Sequence, residues 1–195
     1  MTRLLCATLI AALGLAACAK VDGTNRSQIL FTSEAEENQM GVQAYADVKK
    51  QEKVCTDPET VAFVERVAKR VAAAAPDHGF HYEFTVLESE TANAFCLPGG
   101  KVAVYTGILP YCQNEAGLAT VLGHEIGHAI ARHGGERMSQ GMVQQVGGVA
   151  LSTVLQAKGI QPTTASLAMS AYGAGSQYLG VLPFSRKHES EADYL

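Results

Sequence analysis

Two histidines four residues apart, with a glutamate directly after the first, are the densest chemistry in the chain: His124-Glu125-Ile126-Gly127-His128. On a helix of 3.6 residues per turn, positions four apart project about 40° from one another, so both imidazoles can reach one ion. Zinc takes nitrogen and oxygen donors in a tetrahedral shell, and a catalytic zinc keeps one position open for water. Glu125 stands beside the first ligand and faces that water, whose pKa the metal brings toward about 7. The pattern calls for Zn²⁺, one per chain, with His124 and His128 as ligands and Glu125 as catalytic base.

With six His and 14 Glu in 195 residues, such a pattern arises by chance in roughly one chain in a hundred. The bland alternative is a surface helix bearing two solvated histidines. The flanks argue against it: Leu118, Ala119, Val121, Leu122, Ile126, Ala129 and Ile130 make the helix apolar on most sides, and buried His and Glu need partners. A third protein ligand is required, and the candidates are His133, His188, Glu189, Glu191 and Asp193. On a helix continuing through His133, that residue is turned about 140° from His128 and faces away. Geometry therefore favours the segment 188–193.

The elements that must position these groups follow from spacing. Ser33 with Glu36 reads as a capping box opening a helix to about residue 52, and Asp57-Pro58 opens another that Pro76 and Gly79 end. Phe80, Tyr82, Phe84 and Val86 alternate with His81, Glu83 and Thr85, the period of a half-buried strand. Residues 91–97 and 101–106 read as two further strands joined at Pro98-Gly99-Gly100, giving a small antiparallel sheet. Asn114-Glu115 opens the metal helix, expected to run to about His133 and stop at Gly134-Gly135, with another helix over about 136–157. The nearly uncharged stretch 141–182 is expected as buried helices or a substrate-covering lid, and 185–195 as helix-compatible. The fold class is α+β, mostly α, a zincin-like domain with the small sheet packed on the metal helix.

The N-terminus reads as an export signal. Met1-Thr2-Arg3 is positive, residues 4–13 are apolar, and Leu15-Ala16-Ala17-Cys18 resembles the bacterial lipobox, in which the Cys is acylated after cleavage. The domain expectations are a lipoprotein signal peptide over 1–17, lipidated Cys18 with a polar tether over 18–32, and a metalloprotease domain over 33–195. Ala19 in place of Asp implies the outer membrane, so the protein is expected in the bacterial periplasm, held to the membrane by lipid. In that oxidising compartment Cys96 and Cys112 are the expected disulfide, with Cys55 free. A net charge of −4 and no run of five basic residues discount nucleic acid as a partner.

Three segments together, 116–133 (AGLATVLGHEIGHAIARH), 93–107 (NAFCLPGGKVAVYTG) and 185–193 (SRKHESEAD), resemble the HtpX and CAAX-prenyl-endopeptidase family of zinc metalloproteases, in particular its periplasmic BepA-type and mitochondrial Oma-type members. The resemblance covers about residues 33–195. It implies that the Glu of an E-x-x-A-D pattern, here Glu189, is the third ligand and that Asp193 orients a ligating histidine. Spacing agrees that Glu189 and Asp193 share a helix face, with the rival Glu191 turned about 160° from Asp193. Asn93, Ala94 and Phe95 with Val102 and Val104 match the strands that pair with substrate in related zinc proteases. Family members continue past the E-x-x-A-D segment, so a missing C-terminal part is expected, and the group that stabilises the oxyanion is left open among Tyr172, Tyr178 and His188. The function implied is endoproteolysis of exposed or misfolded envelope proteins. The alternative is a non-proteolytic assembly factor or holdase for outer-membrane proteins on the same fold.

Overall fold

The structure, a computed structural model, describes residues 18–195; the signal expected over 1–17, with Cys6, lies outside the described residues. Along the chain come β1 (Cys18–Lys20), β2 (Ser27–Ile29), α1 (Glu34–Gln51), α2 (Pro58–Ala74), β3 (Glu83–Leu87), β4 (Ala94–Leu97), β5 (Lys101–Tyr105), α3 (Leu109–Cys112), α4 (Glu115–Ile130), α5 (His133–Ala157), α6 (Pro162–Gly175) and α7 (Leu182–Tyr194). A π-helical stretch, Ser176–Val181, joins the last two. The caps fall where the sequence puts them. Ser33 and Glu36 close the capping box of α1, Asp57 accepts from the Thr60 N–H at α2, and Asn114 accepts from the Ala116 and Gly117 N–H groups at α4.

The mostly helical α+β class stands, but the three-stranded sheet is mixed rather than antiparallel. Its order is β3-β5-β4, with β3 parallel to β5 and β4 antiparallel to it. After β3 the chain reverses and leaves a gap one strand wide, which β5 then fills after the turn at Gly99 and Gly100, both at φ +79°. One sheet face, with Val86, Val102 and Val104, packs on Val64, Val67 and Ala68 of α2 and Leu118 and Leu122 of α4. The other, with Leu87 and Ala103, packs on Tyr45 of α1, whose hydroxyl donates to the Val102 carbonyl and shares a 2.6 Å hydrogen bond with Thr85.

The metal helix ends earlier than expected. It stops at Ile130, Arg132 turns left-handed at φ 57°, and α5 restarts at His133 with Gly134-Gly135 inside its first turn. A non-glycine residue pays about 1–2 kcal/mol for that conformation. Here the guanidinium offsets it by donating Nε and Nη2 to Glu37 at 3.0 and 2.8 Å and Nη2 to the Thr32 carbonyl at 2.8 Å. Glu37 is 2% exposed, which strengthens such pairing.

Residues 18–32 are not a loose tether. β1 and β2 form an antiparallel hairpin with Val21, Gln28 and Leu30 buried. Between the strands Arg26 donates Nη1 and Nη2 to Glu136 of α5 at 3.1 and 2.8 Å and Nε to Glu191 of α7 at 2.7 Å, and Thr24 bonds Glu191 as well. The Glu136 side chain is 3% exposed. Burial pushes its pKa upward, but the bonds from His188 and Arg26 outweigh that and bring it from 4.5 to about 2.

Among the described residues of 141–182 no buried helix is found. α5 buries only His133, Gly135, Glu136 and Ser139, all in its first half, and α6 buries nothing. Among the described residues no helix is long and apolar enough to cross a membrane. The expected Cys96–Cys112 disulfide does not form, since both thiols are free, as is Cys55. α7 instead lies hard against α4: a Cβ on Gly127 would come within 2.9 Å of the Ala192 carbonyl oxygen.

That contact predicts an asymmetry between two glycines of α4. Gly127→Val should lower the melting temperature by several degrees, as overpacking costs about 1–3 kcal/mol. Gly123→Ala, where a Cβ meets nothing within 4 Å, should not; equal behaviour of the two in calorimetry would refute packing through residue 127. A second prediction concerns acid. The folded pKa of Glu136 lies below its ordinary 4.5, so its stabilisation, on the order of 3 kcal/mol, is full above that value and lost as pH falls toward about 2. Glu136→Gln should flatten the acid limb of melting temperature against pH; a limb superimposable on the wild type would contradict the assignment.

Candidate metal centre

His124 and His128 project from consecutive turns of α4, and Glu189 meets them from α7. The Nε2 atoms of the two histidines are 3.0 Å apart, and Glu189 Oε2 lies 3.2 Å from His124 Nε2 and 3.5 Å from His128 Nε2. These three form a group able to hold a metal ion. Ligand bonds of about 2.0–2.2 Å at tetrahedral angles place donor atoms roughly 3.3–3.5 Å apart, so the triangle matches the face of a zinc tetrahedron. Glu189 is half-exposed, while His124 and His128 are largely covered.

The far side of each imidazole is engaged. His124 Nδ1 lies 2.8 Å from Asp193 Oδ1, one turn after Glu189 on α7. His128 Nδ1 lies 2.8 Å from His133 Nδ1, and His133 Nε2 lies 2.9 Å from Glu191 Oε2. The expectation that His133 faces away therefore fails: it assumed one continuous helix, and the break at Arg132 swings the residue back onto His128. Glu191, the rival ligand, bonds His133, Arg26 and Thr24 and is not part of the His124, His128 and Glu189 group.

Burial lowers the pKa of His128, which favours the neutral imidazole that a metal needs, and it lowers that of His133 to about 4. Burial likewise raises Glu125, with Glu189 adding to the effect and His124 opposing it. A carboxylate so raised is a better proton acceptor. Burial pushes the Cys96 thiol of β4 up to about 12, and the charge of Glu125 adds to that shift.

The structure divides the residues expected to meet substrate. β4 is an edge strand, with Asn93 exposed and Phe95 half-buried. Val102 and Val104 do not qualify. They lie on the central strand β5, both of whose edges are paired, and their side chains are in the core at 0% and 1% exposure; Ala94, at 6%, also faces the core. His188 is no candidate for an oxyanion donor, since it is fully buried with Nε2 2.9 Å from Glu136 and its ring stacked on His133 at 4.1 Å. Tyr172 bonds the Gln144 carbonyl, and Tyr178 is 69% exposed. The sequence reading missed Arg26, Thr24 and Glu136. Arg26 and Thr24 lie in a polar stretch with no periodicity, and Glu136 resembles any first-turn glutamate of a helix.

The profile of Peptidase family M48 matches residues 56–195. The mitochondrial metalloendopeptidase OMA1 of Schizosaccharomyces pombe is 41% identical over 140 residues, 70% of this chain and 37% of the relative. Its counterpart in Arabidopsis thaliana is 36% identical over 157 residues, 80% of this chain and 30% of the relative. The beta-barrel assembly-enhancing protease of Escherichia coli is 28% identical over 203 residues, 98% of this chain and 41% of the relative. The chain thus spans less than half the length of these relatives. A match that takes in both helices bearing His124, His128 and Glu189 leads to one conclusion: the chain belongs to Peptidase family M48, a family of metalloproteases.

Proposed function

We propose that the protein is a zinc-dependent endopeptidase acting on exposed or misfolded proteins of the bacterial cell envelope. The observation that carries this is the triangle of His124 Nε2, His128 Nε2 and Glu189 Oε2, 3.0 to 3.5 Å on a side, with Glu125 adjacent. His124, His128 and Glu189 would hold the zinc, which would supply Lewis acidity for the scissile carbonyl and the attacking water. Glu125 takes the proton from the attacking water and returns it to the leaving amine. Asp193 accepts from His124 Nδ1–H, which leaves the Nε2 lone pair for the metal. An extended substrate adds to the free edge of β4 at Asn93–Phe95 through main-chain hydrogen bonds, so selectivity for sequence is weak. Substrate class and location rest on the N-terminal signal pattern and on Cys18, proposed as the lipidated residue that holds the domain to the outer membrane from the periplasmic side.

Casein cleavage by the purified protein, with zinc content measured alongside, tests the reading. Glu125→Gln should retain about one zinc per chain and lose roughly 10²- to 10⁴-fold in rate, whereas His128→Ala should lose the metal as well. Wild-type protein that binds zinc but cleaves nothing would favour the assembly-factor alternative; wild type without zinc would defeat the metal reading itself.

A further inference from the structure

Beyond the three proposed ligands runs a chain of side chains that reaches the N-terminal hairpin, and its donors and acceptors agree in direction. If His128 offers Nε2 to the metal, its Nδ1 carries the proton and donates to His133 Nδ1, 2.8 Å away. His133 must then carry its own proton on Nε2, which donates to Glu191 Oε2 at 2.9 Å. Glu191 is fixed by Arg26 Nε at 2.7 Å and by the Thr24 hydroxyl. Arg26 is in turn fixed by its two-pronged pair with Glu136, which also accepts from His188 Nε2 at 2.9 Å. The His188 ring, stacked on His133 at 4.1 Å and 16°, holds that imidazole in plane.

We infer that Arg26 is a positioning residue of the metal centre: by holding Glu191 against His133, the N-terminal hairpin selects the His133 tautomer that leaves His128 Nε2 free to bind zinc. The alternative tautomer, with the proton on His133 Nδ1, sets two N–H donors against each other across 2.8 Å and turns His128 away from the ion. Glu191 accepts only from an N–H, so its position decides between the two. Arg26 is suited to the task because a planar guanidinium can serve Glu191 through Nε and Glu136 through both Nη atoms at once, which an ammonium cannot. The hairpin that begins at Cys18 is therefore part of the metal site although it holds no ligand. Its undocking would weaken zinc binding with every ligand in place.

This inference rests on the zinc reading above, and its test is zinc affinity of the purified protein by competition with a chromophoric chelator, with the visible spectrum of the cobalt-substituted form as a second readout. Loss of an outer partner of a ligating histidine typically weakens metal binding 10- to 100-fold. His133→Phe should do so, and His133→Asn, whose amide oxygen can accept from His128 Nδ1–H, should recover most of the loss. Arg26→Gln and the charge-conserving Arg26→Lys should each weaken zinc on the order of tenfold and shift the cobalt bands while the circular dichroism stays native. Combined with His133→Phe, Arg26→Gln should add nothing further, because both act through one path. Zinc affinity within twofold of wild type in folded Arg26→Gln and Arg26→Lys would overturn the inference, as would strictly additive losses in the double variant. Lowered thermal stability with unchanged affinity would mean a purely structural role for the hairpin and overturn it equally. Wild-type protein that takes up no zinc would instead remove the metal reading on which the inference stands.

Discussion

The site depends on how closely two helices can approach. A carboxylate 65 residues from His124 must arrive within about 3 Å of two imidazoles, and it arrives on α7, whose backbone passes α4 at Gly127. A side chain there would meet the Ala192 carbonyl, so the residue between the histidines has to be the one without a Cβ. Because Glu189 and Asp193 are one turn apart on α7, the same approach delivers both the third donor and the partner of His124 Nδ1. The rest of the fold holds α4 still for that contact, with the sheet and α2 packing Leu118 and Leu122 beneath it.

Burying so many ionisable groups beside the site is unfavourable unless each finds a partner. Glu136, Glu191 and Arg26 are linked to one another and to His133 and His188, and Glu37 is linked to Arg132. The two groups act at opposite ends of the same bend. Arg132 is itself the left-handed residue that separates α4 from α5, held by Glu37, and the bend it makes brings His133 onto His128. Among the described residues Gln28 Oε1, the Tyr82 hydroxyl and His188 Nδ1 are buried with no hydrogen-bond partner; at His188 the stacking on His133 and the bond to Glu136 offset that cost.

The placement of strands bears on what the site could accept. β5 is central and carries the core valines, while β4 is an edge strand packed on the metal helix. An edge strand reads backbone and not side chain, a form of recognition that suits extended or unfolded polypeptide. The chain covers less than half of each relative described above, and its match to the family over residues 56–195 takes in the helices that converge on the centre.

The helix caps, the apolar stripes of α2 and α4 and the His-Glu-x-x-His spacing are all set by neighbours within a few residues, so the sequence alone determines a mostly helical α+β chain with two histidines and a glutamate on one helix. The match to Peptidase family M48 agrees with that reading. The strand pairing was less legible, since alternation marks β3 as a strand but not the neighbour it joins, and the chain skips a position that β5 later fills. The bend at Arg132 was illegible because Gly134-Gly135 offered the stronger stop signal, while the true break relies on Glu37, 95 residues away in the chain. Arg26 was hidden for the same reason: its partners Glu136 and Glu191 are 110 and 165 residues distant. Local propensity and periodicity carry the elements; which buried charge meets which is decided only once packing has removed the water that would otherwise satisfy them.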